Sequence, residues 1–395
     1  IALIAMILDR ITSGLAKNSV TYKPREKSFL KRNKFRFLAI TGVLFFYIMS
    51  FIFPILNQWP ESYFISPAKF ISNGLDVFIL SFGTQIDYLK QVAFFFIMLP
   101  VKIGLQLSVS PYTWGFELTP FLITAYFIIM MLFASWCFFK FSKDVAVGVV
   151  LFSIFIYFGL TNMPWLPLIF IYGLIGYRIG SFKLSLTIIA SFMFITFTGV
   201  LPQALLSIYL CGIAVIISFI LGASLGIWAA HNDKVSAFMR PINDTMQTMP
   251  SFVILIPFVM FFGIGEFTAL LAIIAYAFVP AMRYTEHGLR NLPETVIEAA
   301  RMIGCSQAQL LWKVKIPLAM PVIMLGLNQT IMFGLAMLVI AALVGTTGLG
   351  QLIYIGLSKA DFGTGMISGV SIALIAIIFD RTTQAWRIKL EKKTQ

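Results

Sequence analysis

Acid is scarce in this chain: 16 Asp and Glu stand against 29 Lys and Arg, and charged residues make up only 11% of the 395. Soluble domains carry about 25% charge, so a soluble fold is excluded. The 59% hydrophobic content and mean hydropathy of +0.92 require an integral membrane protein. Cysteine is nearly absent, with Cys137, Cys211 and Cys305 spread over two apolar stretches and a loop, so no disulfide or metal framework follows. His231 and His287 lie far apart in polar stretches, where solvated or capping roles suit them better than metal binding. No G-x-x-x-x-G-K followed by Ser or Thr occurs, so nothing here cradles nucleotide phosphates. Nor does an acid sit in the middle of an apolar stretch. Glu117, Asp144, Glu266 and Asp380 all fall near ends, which disfavours an ion-coupled carrier.

What remains is a set of apolar stretches long enough to cross a layer of ~30 Å, the shorter ones barely. They run over 37–56, 117–139, 145–161, 163–180, 184–201, 204–230, 249–264, 267–283, 318–343 and 364–380. If residues 9–36, 140–144, 178–183, 231–248, 283–317 and 381–395 face the cytoplasm, 25 of the 29 basic residues lie on that side. The net charge of +13 therefore marks topology, and the run Lys31, Arg32, Lys34, Arg36 reads as an anchor on membrane lipid, with no nucleic acid implied. Residues 91–107 contain Pro100 and Lys102 and would invert this topology if counted as a span. They are expected as an amphipathic helix on the outer face, inside an external segment 57–116 whose Trp59, Tyr63, Tyr112 and Trp114 suit the interface.

One polar loop has a defined shape. Pro293 and Glu294 suit a first helical turn, and Val296, Ala299, Ala300 and Ile303 then share one face. Gly304 fits the left-handed position after a helix end, Ser306 with Gln309 reads as a capping box, and Pro317 opens the next span. Two short helices joined by a tight turn are expected, with small residues on the face offered to a partner.

The segment Glu298-Ala-Ala-Arg-Met-Ile-Gly304, followed after nine residues by Val314-Lys-Ile-Pro317, resembles the EAA motif of ABC importer permeases, with Val314 and Ile316 as conservative departures. Leu225-Gly-Ile-Trp228, Met246-Gln-Thr-Met-Pro250, Phe262-Gly-Ile-Gly265, Pro317-Leu-Ala-Met-Pro321, Asn328-Gln-Thr330, Gly348-Leu-Gly-Gln351 and Asp380-Arg381 with Thr383-Gln384 narrow the resemblance further. Together they are similar to the permeases of glycine betaine and proline betaine osmoprotectant importers over about half the chain.

The resemblance implies an all-α polytopic membrane bundle of the type I ABC importer kind in a bacterial inner membrane. The chain itself would be no enzyme and hold no cofactor or metal. A pair of cytoplasmic ATPase subunits would carry ATP and Mg, an external binding protein would select the substrate, and a second permease unit would complete the pathway. Glu298, Ala299, Ala300, Gly304 and Pro317 would couple to the ATPase. The cargo would be glycine betaine, with trimethylamine N-oxide, choline or carnitine as alternatives, and an ion-coupled secondary carrier as the alternative class. Asn328, Gln329 and Thr330, polar in an apolar span, are candidates for the substrate path, with helix-to-helix bonding weighing equally. Asn243, Asp244, Gln247 and Thr248 precede a Pro-containing span and would form a gate or, better, cap its end, so Gln247 and Thr248 join the path candidates.

The expected domains are 1–36, a preceding unit's tail and basic linker; 37–198, N-terminal spans; 199–386, the permease core; and 387–395, a basic tail. The spans over 145–180 exceed a minimal permease. Ile1 to Arg10 nearly repeats Ile372 to Arg381, including the closing Asp-Arg, so a tandem pair of permease units is expected, with a homodimer as the alternative. The topology predicts that single cysteines at Ser72 and Gln307, in a background lacking the three native ones, react with impermeant thiol reagents from opposite sides of the membrane. Labelling from the same side would overturn it.

Overall fold

The computed structural model describes residues 34–53, 67–140 and 143–394, with Ile7, Ile11, Thr12 and Gly14. The opening repeat apart from Ile7, the rest of the expected linker to residue 33, and residues 54–66 with Trp59 and Tyr63 lie outside the described residues. Every regular element among the described residues is helical. Two compact units divide the chain near residue 83.

In the first unit, α1 (Lys34–Ile52) is apolar on all sides and exposes Phe45, Phe46 and Phe51, as a lipid-facing helix does. Helix α2 (Pro67–Ala93) begins there and ends in the second unit.

In the second unit α2 passes through a π-helical turn, Phe94–Met98, into α3 (Leu99–Ile103). Over 91–107, where an amphipathic helix on an outer face is expected, the chain is largely helical, Met98 and Pro100 are buried, and the segment is strapped to the bundle. Leu160 N–H donates to Val101 O at 3.0 Å and Thr161 N–H to Lys102 O at 3.1 Å. Gly104, at φ 84°, lies so near Gly159 that a methyl group there would fall 2.2 Å from the Phe158 carbonyl carbon. Contacts spanning some sixty residues leave no local periodicity to read.

Two hairpins follow, α4 (Pro120–Lys140) with α5 (Lys143–Phe158), and α6 (Trp165–Ile179) with α7 (Phe182–Phe197). At 15 or 16 residues, α5, α6 and α7 reach only about 22–24 Å, so the stretches 145–161, 163–180 and 184–201 form helices shorter than expected.

The core is built from α8 (Leu201–His231), α11 (Glu266–Arg290), α13 (Ile316–Ala341) and α15 (Phe362–Thr394). Between α8 and α11 lie α9 (Asp233–Thr248) and α10 (Ser251–Phe262), bent by 104°. Pro250 forces the bend, because the residue before proline is driven out of helical conformation and Met249 sits at ψ 130°. The stretch 249–264 is thus one limb of a broken pair, too short to cross by itself. The loop helix α12 (Glu294–Met302) precedes α13, and α14 (Leu349–Ser358) precedes α15. The tail expected from 387 continues α15 as helix to Thr394.

Apolar burial holds these helices together only weakly in lipid, so close packing of small residues does more. Gly222 and Gly226, four apart on α8, meet the backbone of α11. A methyl group at Gly222 would lie 2.6 Å from Phe278 O, and one at Gly226 2.6 Å from Met282 O. Gly212, on the same helix, has nothing within 4 Å of that position. Overpacking of this kind costs on the order of 1–3 kcal/mol or more. Gly226→Val is therefore expected to lower the melting temperature of the detergent-extracted protein sharply, with Gly212→Ala unchanged. Equal melting of the two variants would refute the packing argument.

Candidate functional site

The polar loop folds as its residues dictate. Pro293 precedes α12, Gly304 turns the chain at φ 85°, and Ser306 and Gln309 bond each other's backbone in a capping box that opens a single turn, Gln307–Gln309. A π-helical turn, Leu310–Lys315, then leads into α13. Its wider coil gives room where the Pro317 ring would strike the carbonyl four residues back.

Ala300 is buried and anchors α12, whereas Glu298, Ala299, Val296, Met302 and Ile303 are exposed. Met302 and Ile303 are 89% and 83% exposed, and Trp312 is 66% exposed. The loop stands on a polar base. Arg290 donates to Ala229 O at 2.7 Å and pairs with Asp233 and Glu286 at 2.8 and 3.0 Å, while Ser236 donates to Glu286 at 2.6 Å. Lys315 Nζ lies 3.4 Å from His231 Nε2, and partial burial, then the charge of Arg301, lowers its pKa.

At the other end of α11, Glu266 is the meeting point of four segments. Lys102 on α3 pairs with it at 2.6 Å, Tyr209 on α8 donates to it at 3.3 Å, and Thr347, from the turn before α14, donates at 3.3 Å. The same turn is held by Leu349 N–H to Ser207 Oγ at 2.9 Å.

The candidates for the substrate path divide. Gln247 and Gln329 are brought together in a cavity of about 420 Å³, lined also by Arg283, Tyr284, His287 and Phe333. Asn328 turns away from it, donating to Asp380 Oδ1 at 2.9 Å and accepting from Thr383 Oγ1 at 2.6 Å, so it ties α13 to α15. Thr330 is fully buried and bonds Gly326 O of its own helix. Thr248 likewise bonds Asp244 O. Capping of the next helix, expected of 243–248, does not occur: these residues are themselves helical, and Pro250 precedes α10 with no side-chain cap. Instead Arg283 donates to Gln247 Oε1 at 2.6 Å and forms an ion pair with Asp244, while Asn243 is buried against Met282.

Sequence reading missed Arg283, Tyr284 and His287 because 283 marked the basic end of a span. Their spacing with Pro280 at i, i+3, i+4 and i+7 was the available signal.

Comparison with known proteins agrees with this architecture. Residues 222–384 match the family described as "Binding-protein-dependent transport system inner membrane component". The chain is 39% identical over 226 residues to the glycine betaine/proline betaine transport system permease protein ProW of Escherichia coli, covering 57% of this chain and 64% of that one. It is 37% identical over 255 residues to the glycine betaine transport system permease protein OpuAB of Bacillus subtilis, covering 65% and 90%. It is 32% identical over 400 residues to the trimethylamine N-oxide transport system permease protein TmoV of Pelagibacter ubique, covering 99% and 48%. The chain thus spans less than two thirds of ProW and about half of TmoV. A close-packed helical core, an exposed loop on its polar base and homology over nearly all of OpuAB together place this chain among the membrane permeases of binding-protein-dependent transport systems.

Proposed function

We propose that this chain is the membrane-spanning unit of an ATP-driven importer, in a bacterial inner membrane, for glycine betaine or a related quaternary amine. The observation that carries the reading is the loop. Val296, Ala299, Met302, Ile303 and Trp312 stand exposed in a capped frame on the same segment that carries Glu298. Exposed apolar residues gathered around a polar motif fit a docking surface. Cytoplasmic ATPase subunits would seat there, holding ATP and Mg, and Gly304 and Pro317 would keep the loop helix at a fixed angle to α13. Closure of the ATPase pair would then move α11 and α13, which flank the loop in sequence. An external binding protein and a second permease unit complete the proposed assembly. The cargo follows the relatives' names, with trimethylamine N-oxide, choline and carnitine as the neighbouring readings.

Reconstituted with its ATPase and binding protein in liposomes, the complex is expected to accumulate glycine betaine only with internal ATP. Uptake that persists with an ATPase subunit disabled in hydrolysis would defeat the reading. Gly304→Val forces a β-branched residue into a left-handed conformation at a cost of roughly 1 kcal/mol or more. It is expected to reduce substrate-stimulated ATP hydrolysis and uptake together, and Ala299→Glu to weaken ATPase co-purification several-fold. Wild-type coupling and assembly in both variants would remove the loop from the mechanism.

A further inference from the structure

Ionisable groups on a membrane-spanning helix cost several kcal/mol if they face lipid, so they face water or one another. Arg283 lies on α11, whose apolar stretch is long enough to cross the membrane, and its partner Asp244 comes from α9. Their side chains are 39% and 42% exposed, so the pair is not sealed in the core, and its Arg283 lines the cavity. Gln247 joins them through Arg283 at 2.6 Å. The rings of Tyr284 and Phe333 line the same cavity, with Tyr276 stacked on Phe333 at 5.1 Å and 30°, which braces that ring. Gln329 and Phe333, thirteen and seventeen residues into the 26-residue α13, place the cavity's far end near mid-membrane, while Arg283 lies seven residues from the loop end of α11. The cavity therefore runs from the middle of the bundle toward the loop.

An open ion pair carries both charges and no net charge. A ligand with one charge can satisfy only one partner and strands the other, whereas a zwitterion exchanges with both. Aromatic faces favour a methylated ammonium, and a guanidinium favours a carboxylate, which it can hold through two parallel bonds. We propose that this cavity is a transit site in the permease for a carboxylate-bearing methylammonium zwitterion. Its carboxylate takes Arg283 from Gln247 and Asp244, and its cationic head rests between the freed Asp244 and the rings of Phe333 and Tyr284. Substrate choice then has a second checkpoint inside the membrane, beyond selection by the binding protein. The inference deepens the importer reading and rests on it.

The test uses the complete complex, with Gln329→Cys as a reporter in a background lacking Cys137, Cys211 and Cys305. A small thiol reagent is applied from the loop side and the modification rate measured with glycine betaine or choline at millimolar concentration. Glycine betaine is expected to slow modification about tenfold more than choline, which has the same head group and no carboxylate. Adding Arg283→Gln should abolish that difference, and Arg283→Lys restore part of it, each rate being read relative to the same variant's own ligand-free rate. Equal protection by the two ligands, protection by neither, or a difference that survives Arg283→Gln each overturns the proposal. Uptake by the wild-type complex, followed in parallel, separates the two readings. Uptake without protection sinks the transit site alone, and failure to carry any quaternary amine sinks the importer reading.

Discussion

The crossing of α8 and α11 at Gly222 and Gly226 sets the position of everything functional in this molecule. Two backbones can approach this closely only where one helix carries no side chain, and in a membrane such contact replaces the apolar driving force that water supplies elsewhere. Helix α11 carries Glu266 at one end, Arg283 on its cavity face and Arg290 at the loop end. Held against α8 by its backbone, it presents these three groups to three different neighbourhoods at fixed spacing. A side chain at either glycine would push α11 outward and shift all three at once.

The two ends of α11 are built around single groups of opposite charge, Arg290 and Glu266. Near Arg290 the bonds are many, and they reach α8 and α9. Near Glu266 one carboxylate gathers α3, α8 and the turn before α14. Concentrating three segments on one acid makes that end sensitive to a single group. The loop end is concentrated likewise, with three of its four bonds on the Arg290 guanidinium and the fourth from Ser236 to Glu286.

Legibility in the sequence followed the range of the interactions. The loop was readable because its determinants are local: Gly304 sets a turn, Ser306 and Gln309 cap one another, and Pro317 starts a helix. The spans of the core were readable from apolar length. Gln247 and Gln329 stood out as polar residues in or beside apolar stretches, but nothing local told Gln329 from Asn328, one facing a cavity and the other bonded to Asp380. The Lys102–Glu266 pair joins residues 164 positions apart, and no pattern in either segment names the other. Residues 243–248 read as a cap because Pro250 lay ahead; in fact they belong to a helix ended by that proline.

Helix α15 is unbroken over 33 residues, about 50 Å of rod against an apolar layer of about 30 Å. Asn328 grips it at Asp380 and Thr383, beyond its midpoint, and Lys389 reaches the Arg178 carbonyl on α6 at 3.3 Å. A rod held in this way is a lever with its fulcrum set off-centre. Tilting by about 10° about that grip would carry the Phe362 end through roughly 5 Å and the Thr394 end about two thirds as far. Residues that look like a basic tail thus form the short arm of this lever, through which a tilt of about 10° at the α13 grip shifts Lys389 by about 2 Å against the Arg178 carbonyl of α6.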